Sequence, residues 1–204
     1  MNKTPKRATV LGIRQDMTLE KLKLIEDSFI ELEHIRRYAS VRRFCYGKVL
    51  DFACGTGYGS HMIATNDYIE HVIGVDNDPK AIVWAKDEFK RDKVTYVAST
   101  GDKIKQKFDT LVCLETIEHI KDTDTVPSLV ERCEIDNIII GFPDKKTKHY
   151  NKEHLHDFVK QDVIDLFPNH VVYHVIKSFD SVILLMMRVP SKAPKGIFRN
   201  VRDL

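Results

Sequence analysis

The chain has 204 residues, a net charge of +2, 43% hydrophobic and 30% charged residues, an ordinary balance for a soluble globular domain. A chain this long buries roughly 70% of its unfolded surface without staples, and its near-neutral charge makes no case for nucleic acid or a membrane as the main partner. The four cysteines form no CxxC pair, the N-terminus lacks the apolar core of a signal peptide, and the apolar run Val182–Met187 is too short to span a bilayer, so the protein is read as cytoplasmic, with reduced cysteines.

Residues 1–17 carry basic side chains without periodicity and read as a loose arm. From Thr18 to about Phe44, Leu22, Ile25, Phe29, Leu32, Ile35 and Tyr38 recur at helical spacing. The 18–46 segment is therefore helical, as one helix or two in succession, and opens a single domain ending near 189. Strands are then predicted at Lys48–Phe52, His71–Val75, Val94–Val97, Thr110–Cys113, Asn137–Gly141, Val171–Ile176 and Val182–Arg188. Helices fall between them at Tyr58–Ala64, Pro79–Phe89, Glu115–Ile120 with a turn into Val126–Arg132, and Lys160–Leu166. Asp78-Pro79 supplies a capping carboxylate and a proline at the first helical position. Alternating strands and helices imply an α/β fold, a Rossmann-like, mostly parallel seven-stranded sheet with helices on both faces. The short link around Asp180 makes the last strand antiparallel. The tail from Pro190 is basic and expected to be flexible.

The stretch Val49–Ser60, VLDFACGTGYGS, runs a strand into a glycine loop. In an open parallel sheet, ligands bind beyond the carboxyl ends of the strands at the switch point. Two ligand classes suit a glycine loop there. A dinucleotide wants G-x-G-x-x-G, but Ser60 takes the third position, and Asp51 would repel a pyrophosphate. S-adenosylmethionine has no phosphate. Asp51 can favour its ammonium directly or through water, while loop N–H groups take its carboxylate. A nicotinamide-dependent oxidoreductase is disfavoured on the same two residues. Asp76 ends the next strand about 20 residues further on, where an acid grips a ribose diol in either cofactor class.

With these residues in place, the chain resembles a class I S-adenosylmethionine-dependent methyltransferase from about Arg37 to Arg188. VLDFACGTGYGS is similar to the family's first motif and VIGVDNDPKAI (72–82) to its second. FDTLVCLETIEHI (108–120), RRYASVRRF and NKEHLHDF resemble the branch of ubiquinone-pathway O-methyltransferases and bacterial sugar and polysaccharide methyltransferases. The resemblance implies that Asp51, Ala53, Cys54, Gly55 and Gly57 line the methionine end. It implies that Asp76 holds the ribose, that Asn77, Ser99 and Thr100 lie at the adenine, and that Leu114 offers backbone to the ammonium. Three departures stand out: Ala53 where glycine is common, CEIDNIIIG in place of a Gly-Gly turn, and Lys152 where proline is frequent.

Methyl transfer is an in-line displacement that needs an aligned nucleophile and, for an alcohol or ammonium, removal of a proton. Glu115, Glu118 and His119 follow the fourth strand at i, i+3 and i+4, one face if the segment is helical. His149, His154 and His156 lie in the loop after the fifth strand. His119 or His154 is a candidate general base. Glu115, Glu118, His119 and a loop histidine could instead bind a divalent metal, a set resembling that of small-RNA 3′-terminal ribose methyltransferases. An ordinary charged face is the third reading. The expectation is metal-free transfer to O or N of a small polar acceptor, best a sugar or nucleotide-sugar intermediate. The alternatives are a metal-assisted RNA ribose 2′-O-methyltransferase and a non-catalytic S-adenosylmethionine-binding partner protein. The oligomeric state stays open.

Overall fold

A computed structural model describes residues 32–190. The arm at 1–17, the start of the helical stripe and the tail beyond Pro190 lie outside the described residues. Helix α1 covers 32–41 and passes through a 3-10 turn at Arg42–Phe44. The chain then alternates: β1 Gly47–Phe52, α2 Tyr58–Ile63, β2 Ile69–Asp76, α3 Pro79–Glu88, β3 Val94–Ala98 and β4 Thr110–Leu114. There follow α4 Thr125–Arg132, β5 Asn137–Pro143, α5 Lys160–Asp165, β6 His170–Ser178 and β7 Ser181–Arg188. All seven strands fall where the apolar runs place them. The Asp78 side chain accepts from the Lys80 N–H with Pro79 behind it, so α3 starts as its sequence dictates.

One seven-stranded sheet results, in the order β3-β2-β1-β4-β5-β7-β6. Only β7 runs against its neighbours, pairing antiparallel with both β5 and β6. The order reverses between β1 and β4, which pair in parallel with Asp51 opposite Val112. Loops after β1 and β4 therefore diverge and leave a crevice at the strands' carboxyl ends.

Alternate side chains of the central strands enter opposite layers, as a sheet buried on both faces requires. Leu50, Leu111, Ile138 and Ile140 pack with Val126, Leu129 and Val130 of α4 and Val163 of α5. Val49, Val112, Ile139 and Leu185 pack with Tyr38 and Val41 of α1 and Ile63 of α2. Among the described residues, no helix is long and apolar enough to cross a membrane.

One element differs from expectation. Glu115–Ile120 is not an α-helix. The Glu115 N–H bonds to the carbonyl of Gly141 on β5, Glu115 has φ 50°, and only a 3-10 turn at Ile117–His119 follows. Sheet extension at Glu115 takes the backbone out of helical register, so Glu115, Glu118 and His119 share no helical face.

Candidate active site

Two cavities open at the crevice. One of about 780 Å³ is lined by Arg37 and Tyr38 of α1, by Ala53–Thr56 and Tyr58, and by Leu114 and Glu115. The other, about 430 Å³, is lined by Phe52, Asp76, Asn77, Ser99, Thr100, Thr116 and His119 among others. Ala53 and Glu115 line both, so the two spaces meet there. Eight of the ten residues expected around the cofactor thus border one continuous crevice. The other two are Gly57, which packs on α3, and Asp51.

Asp51 is fully buried. Its Oδ1 accepts from the Tyr38 hydroxyl at 3.1 Å and its Oδ2 from Ser60 Oγ at 2.6 Å. Direct contact with a ligand ammonium is therefore ruled out in this arrangement. The carboxylate reaches the cavity only through Tyr38, which lines it. Burial pushes the Asp51 carboxyl up to about 6, against the two hydrogen bonds that favour its charge. Ser60, the residue that breaks the dinucleotide pattern, is thus the anchor of the acid in front of the loop.

The loop itself is held by strand ends. Gly55 N–H donates to Asp76 Oδ2 at 2.8 Å, and Asp78 N–H to Asp76 Oδ1 at 2.9 Å. Each carboxylate oxygen keeps a second lone pair for a diol. Cys54 N–H pairs with Val75 and Gly57 N–H with Cys54, so these loop amides are already satisfied inside the protein. A Cβ on Gly55 would meet nothing within 4 Å, whereas one on Gly57 would lie 2.6 Å from Ala85 Cβ. The first glycine leaves space for a ligand and the second permits close packing of the loop on α3. Ala53 adopts φ 60° and Glu134 φ 50°. Both departures from the family's glycines therefore place L side chains in the left-handed region, at roughly 1–2 kcal/mol each. The Leu114 carbonyl accepts from the Thr116 hydroxyl at 2.9 Å and retains one lone pair.

Arg37 was not singled out from sequence. It is 7% exposed and lines the larger cavity. Nη2 donates to Ser181 Oγ at 3.2 Å and lies 3.7 Å from both Glu33 and Glu115. Nε and Nη1 are buried without a partner among the described residues. Burial raises the Glu115 carboxyl from its ordinary value, and the Arg37 charge opposes that.

Beyond β4, the backbone carbonyl of Glu118 accepts from Leu155 N–H at 2.7 Å and from His156 N–H at 3.3 Å. That pins the loop after β5 against the 3-10 turn. His119 and His154 meet edge to face with ring centres 4.6 Å apart. Donor atoms of Glu118, His119 and His154 all lie within 4.8 Å of one another. Glu118 is 1% exposed, both its oxygens lack a partner among the described residues, and burial pushes its carboxyl up to about 8. Burial also lowers His154 from its ordinary value, with His119 adding to the effect. Glu115 is absent from this cluster, drawn instead toward Arg37. His156 Nε2 donates to the Ile120 carbonyl and His149 meets Tyr150 edge to face, so His154 is the loop histidine that joins. Two neutral imidazoles and a carboxylate can take a proton from a nucleophile or hold a divalent ion of the Mn, Fe or Zn kind.

A model of the methyltransferase-domain family matches residues 49–134. The mitochondrial ubiquinone biosynthesis O-methyltransferase of Saccharomyces cerevisiae is 31% identical over 77 residues, covering 35% of this chain. The matched stretch spans only about a quarter of the yeast protein, 25% of its length. The structure of magnesium protoporphyrin IX methyltransferase from Synechocystis with bound S-adenosylmethionine superposes with a TM-score of 0.64, at 18% identity, over 78% of this chain and 82% of that one. The small RNA methyltransferase HEN1 superposes with a TM-score of 0.62, at 17% identity, over 78% of this chain and 25% of that one. Residues 49–134 thus resemble a methyltransferase domain, and the chain has the fold of the class I S-adenosylmethionine-dependent methyltransferases.

Proposed function

We propose that the chain transfers the methyl group of S-adenosylmethionine to an oxygen or nitrogen of a small polar acceptor, best a sugar or nucleotide-sugar. The adenosine occupies the smaller cavity, with Asp76 on the ribose and Asn77, Ser99 and Thr100 near the base. The methionine end crosses Ala53 into the larger cavity, where Arg37, whose Nε and Nη1 have no partner among the described residues, pairs with its carboxylate. The single observation that carries the acceptor side is the imidazole pair His119 and His154 beside buried Glu118, with His119 lining the smaller cavity. A neutral imidazole there takes the proton that an alcohol or ammonium must lose. Support for the cofactor comes from the methyltransferase-domain match and from a structural neighbour that holds S-adenosylmethionine.

A second reading has one observation in its favour. A buried carboxylate without a partner is costly, and a cation between Glu118, His119 and His154 would satisfy it. These three residues would hold the ion, which when bound supplies Lewis-acid binding of a vicinal diol. HEN1, a small RNA methyltransferase by name, shares the fold, so a terminal ribose is the acceptor on this reading.

The test is release of S-adenosylhomocysteine from the full chain with nucleotide-sugars, glycans and short RNAs, with and without EDTA. Product with a sugar acceptor, insensitive to EDTA, supports the first reading. Product with RNA that EDTA stops and Mn²⁺ restores selects the second. Binding of the cofactor without turnover on any acceptor overturns both and leaves a non-catalytic binding protein.

A further inference from the structure

On the reading that His154 serves the acceptor, its neighbours decide which ring nitrogen is free to act. The two histidines of the cluster each have Nδ1 occupied. His119 Nδ1 lies 3.0 Å from the carbonyl of Glu153. A carbonyl only accepts, so Nδ1 carries a proton, and in the neutral ring Nε2 is bare. That Nε2 lies 3.9 Å from Glu118 Oε1.

His154 is less determined. Its Nδ1 is 2.6 Å from Thr147 Oγ1, a hydroxyl that either donates or accepts. Thr147 is 3% exposed. Among the described residues its hydroxyl has one further hydrogen-bond neighbour, Asp157 Oδ1 at 3.4 Å. The same Oδ1 accepts the N–H groups of Thr147 at 2.7 Å and Lys148 at 3.1 Å, which fixes the carboxylate beside the hydroxyl. If the hydroxyl proton turned toward His154, Nε2 would carry the ring proton and could neither take one nor bind a cation. If it turns toward Asp157, Oγ1 accepts from Nδ1–H and Nε2 is bare. An ionised carboxylate can only accept, and its charge orients the hydroxyl and ring dipoles toward itself.

We propose that Thr147, backed by Asp157, is a positioning residue that holds His154 as the Nδ1–H tautomer. Both imidazoles then present bare Nε2 atoms beside Glu118. Thr147 touches no reacting atom on this reading and acts only through the ring.

Imidazole ¹H–¹⁵N correlation on the full chain, without metal, cofactor or acceptor and at a pH where the rings are neutral, reads the tautomer directly. His154→Gln identifies the resonances. The expected wild-type result is Nδ1–H in excess. Thr147→Val should shift His154 toward Nε2–H and weaken Mn²⁺ binding, measured by calorimetry, by about 10–100-fold. Thr147→Ser should restore both. A wild-type ring protonated mainly on Nε2, or a tautomer unchanged in Thr147→Val, overturns the proposal. If Thr147→Val does not fold, the wild-type and Thr147→Ser spectra still decide. The spectrum needs no turnover, so a chain with the Nδ1–H tautomer but no activity sinks methyl transfer alone, and an active chain with Nε2–H sinks this proposal alone.

Discussion

On the proposed assignment, the cofactor end and the acceptor end of the crevice treat buried polar groups in opposite ways. At the ends of β1 and β2, Asp51 is satisfied by Tyr38 and Ser60, and Asp76 by the N–H groups of Gly55 and Asp78. Beyond β4, both oxygens of Glu118 and one of Glu115 are buried without partners among the described residues. Satisfied groups lock a shape, and unsatisfied ones cost free energy until something arrives to pair with them. The cofactor end is thus a rigid cradle, while the acceptor end stores its binding capacity as unpaired polar groups.

The largest effects should come from the loop glycines, and they should separate folding from binding. Gly57→Ala places a Cβ 2.6 Å from Ala85 Cβ at φ 90°, and should cost about 3 kcal/mol or more, read by chemical denaturation. Gly55→Val meets no protein atom within 4 Å but sits at φ 55°, so it should fold with a loss of roughly 1–2 kcal/mol and yet show no S-adenosylmethionine binding by calorimetry. Wild-type affinity in Gly55→Val would mean that the cofactor lies elsewhere.

His119→Ala probes the other end. It should slow methyl transfer by roughly 10²–10⁴-fold with cofactor affinity unchanged, in single-turnover and binding measurements. Equal losses of binding and rate would erase the division between the two ends.

Glu118→Gln should stabilise the ligand-free protein at neutral pH. Its carboxyl is raised to about 8 by burial. A raised carboxyl contributes stability that is fully present below its unfolded pKa and lost as pH rises through its folded pKa. The wild-type melting temperature should therefore fall between about pH 5 and 8. The variant should escape that part of the fall, gaining on the order of 2–4 kcal/mol near pH 8. A variant less stable than wild type across that range would show that the carboxylate has a partner after all.

Asp76→Ala probes the ribose contact. Loss of charge-assisted bonds to the ribose should weaken the cofactor by about 1.5–3 kcal/mol for each bond lost, roughly 10-fold or more in Kd. Because Asp76 also holds the Gly55 amide, Asp76→Asn should recover part of the loss. An affinity untouched by Asp76→Ala would move the ribose out of the smaller cavity.

Local pattern was enough for the scaffold. Apolar runs of strand length, the Asp78-Pro79 start of α3 and the short link at Asp180 all have their causes within a few residues, so seven strands, an antiparallel β7 and a ligand crevice at the β1–β4 reversal were legible in the chain. So were the residues that line the crevice at the ends of β1 and β2, because a strand end and its following loop are continuous in sequence. The tertiary structure decided what depends on distant partners. Spacing alone put Glu115, Glu118 and His119 on one helical face, but the carbonyl of Gly141 captures the Glu115 amide and Arg37 draws its carboxylate away. Asp51 reads as a ligand contact until Tyr38 and Ser60 are folded over it. His154 stands 35 positions after His119 with no spacing rule to join them; backbone bonds from Leu155 and His156 to Glu118 bring the loop into place. A hydrogen bond is set by positions in space, and separation along the chain says nothing of it once the chain has turned back across a sheet.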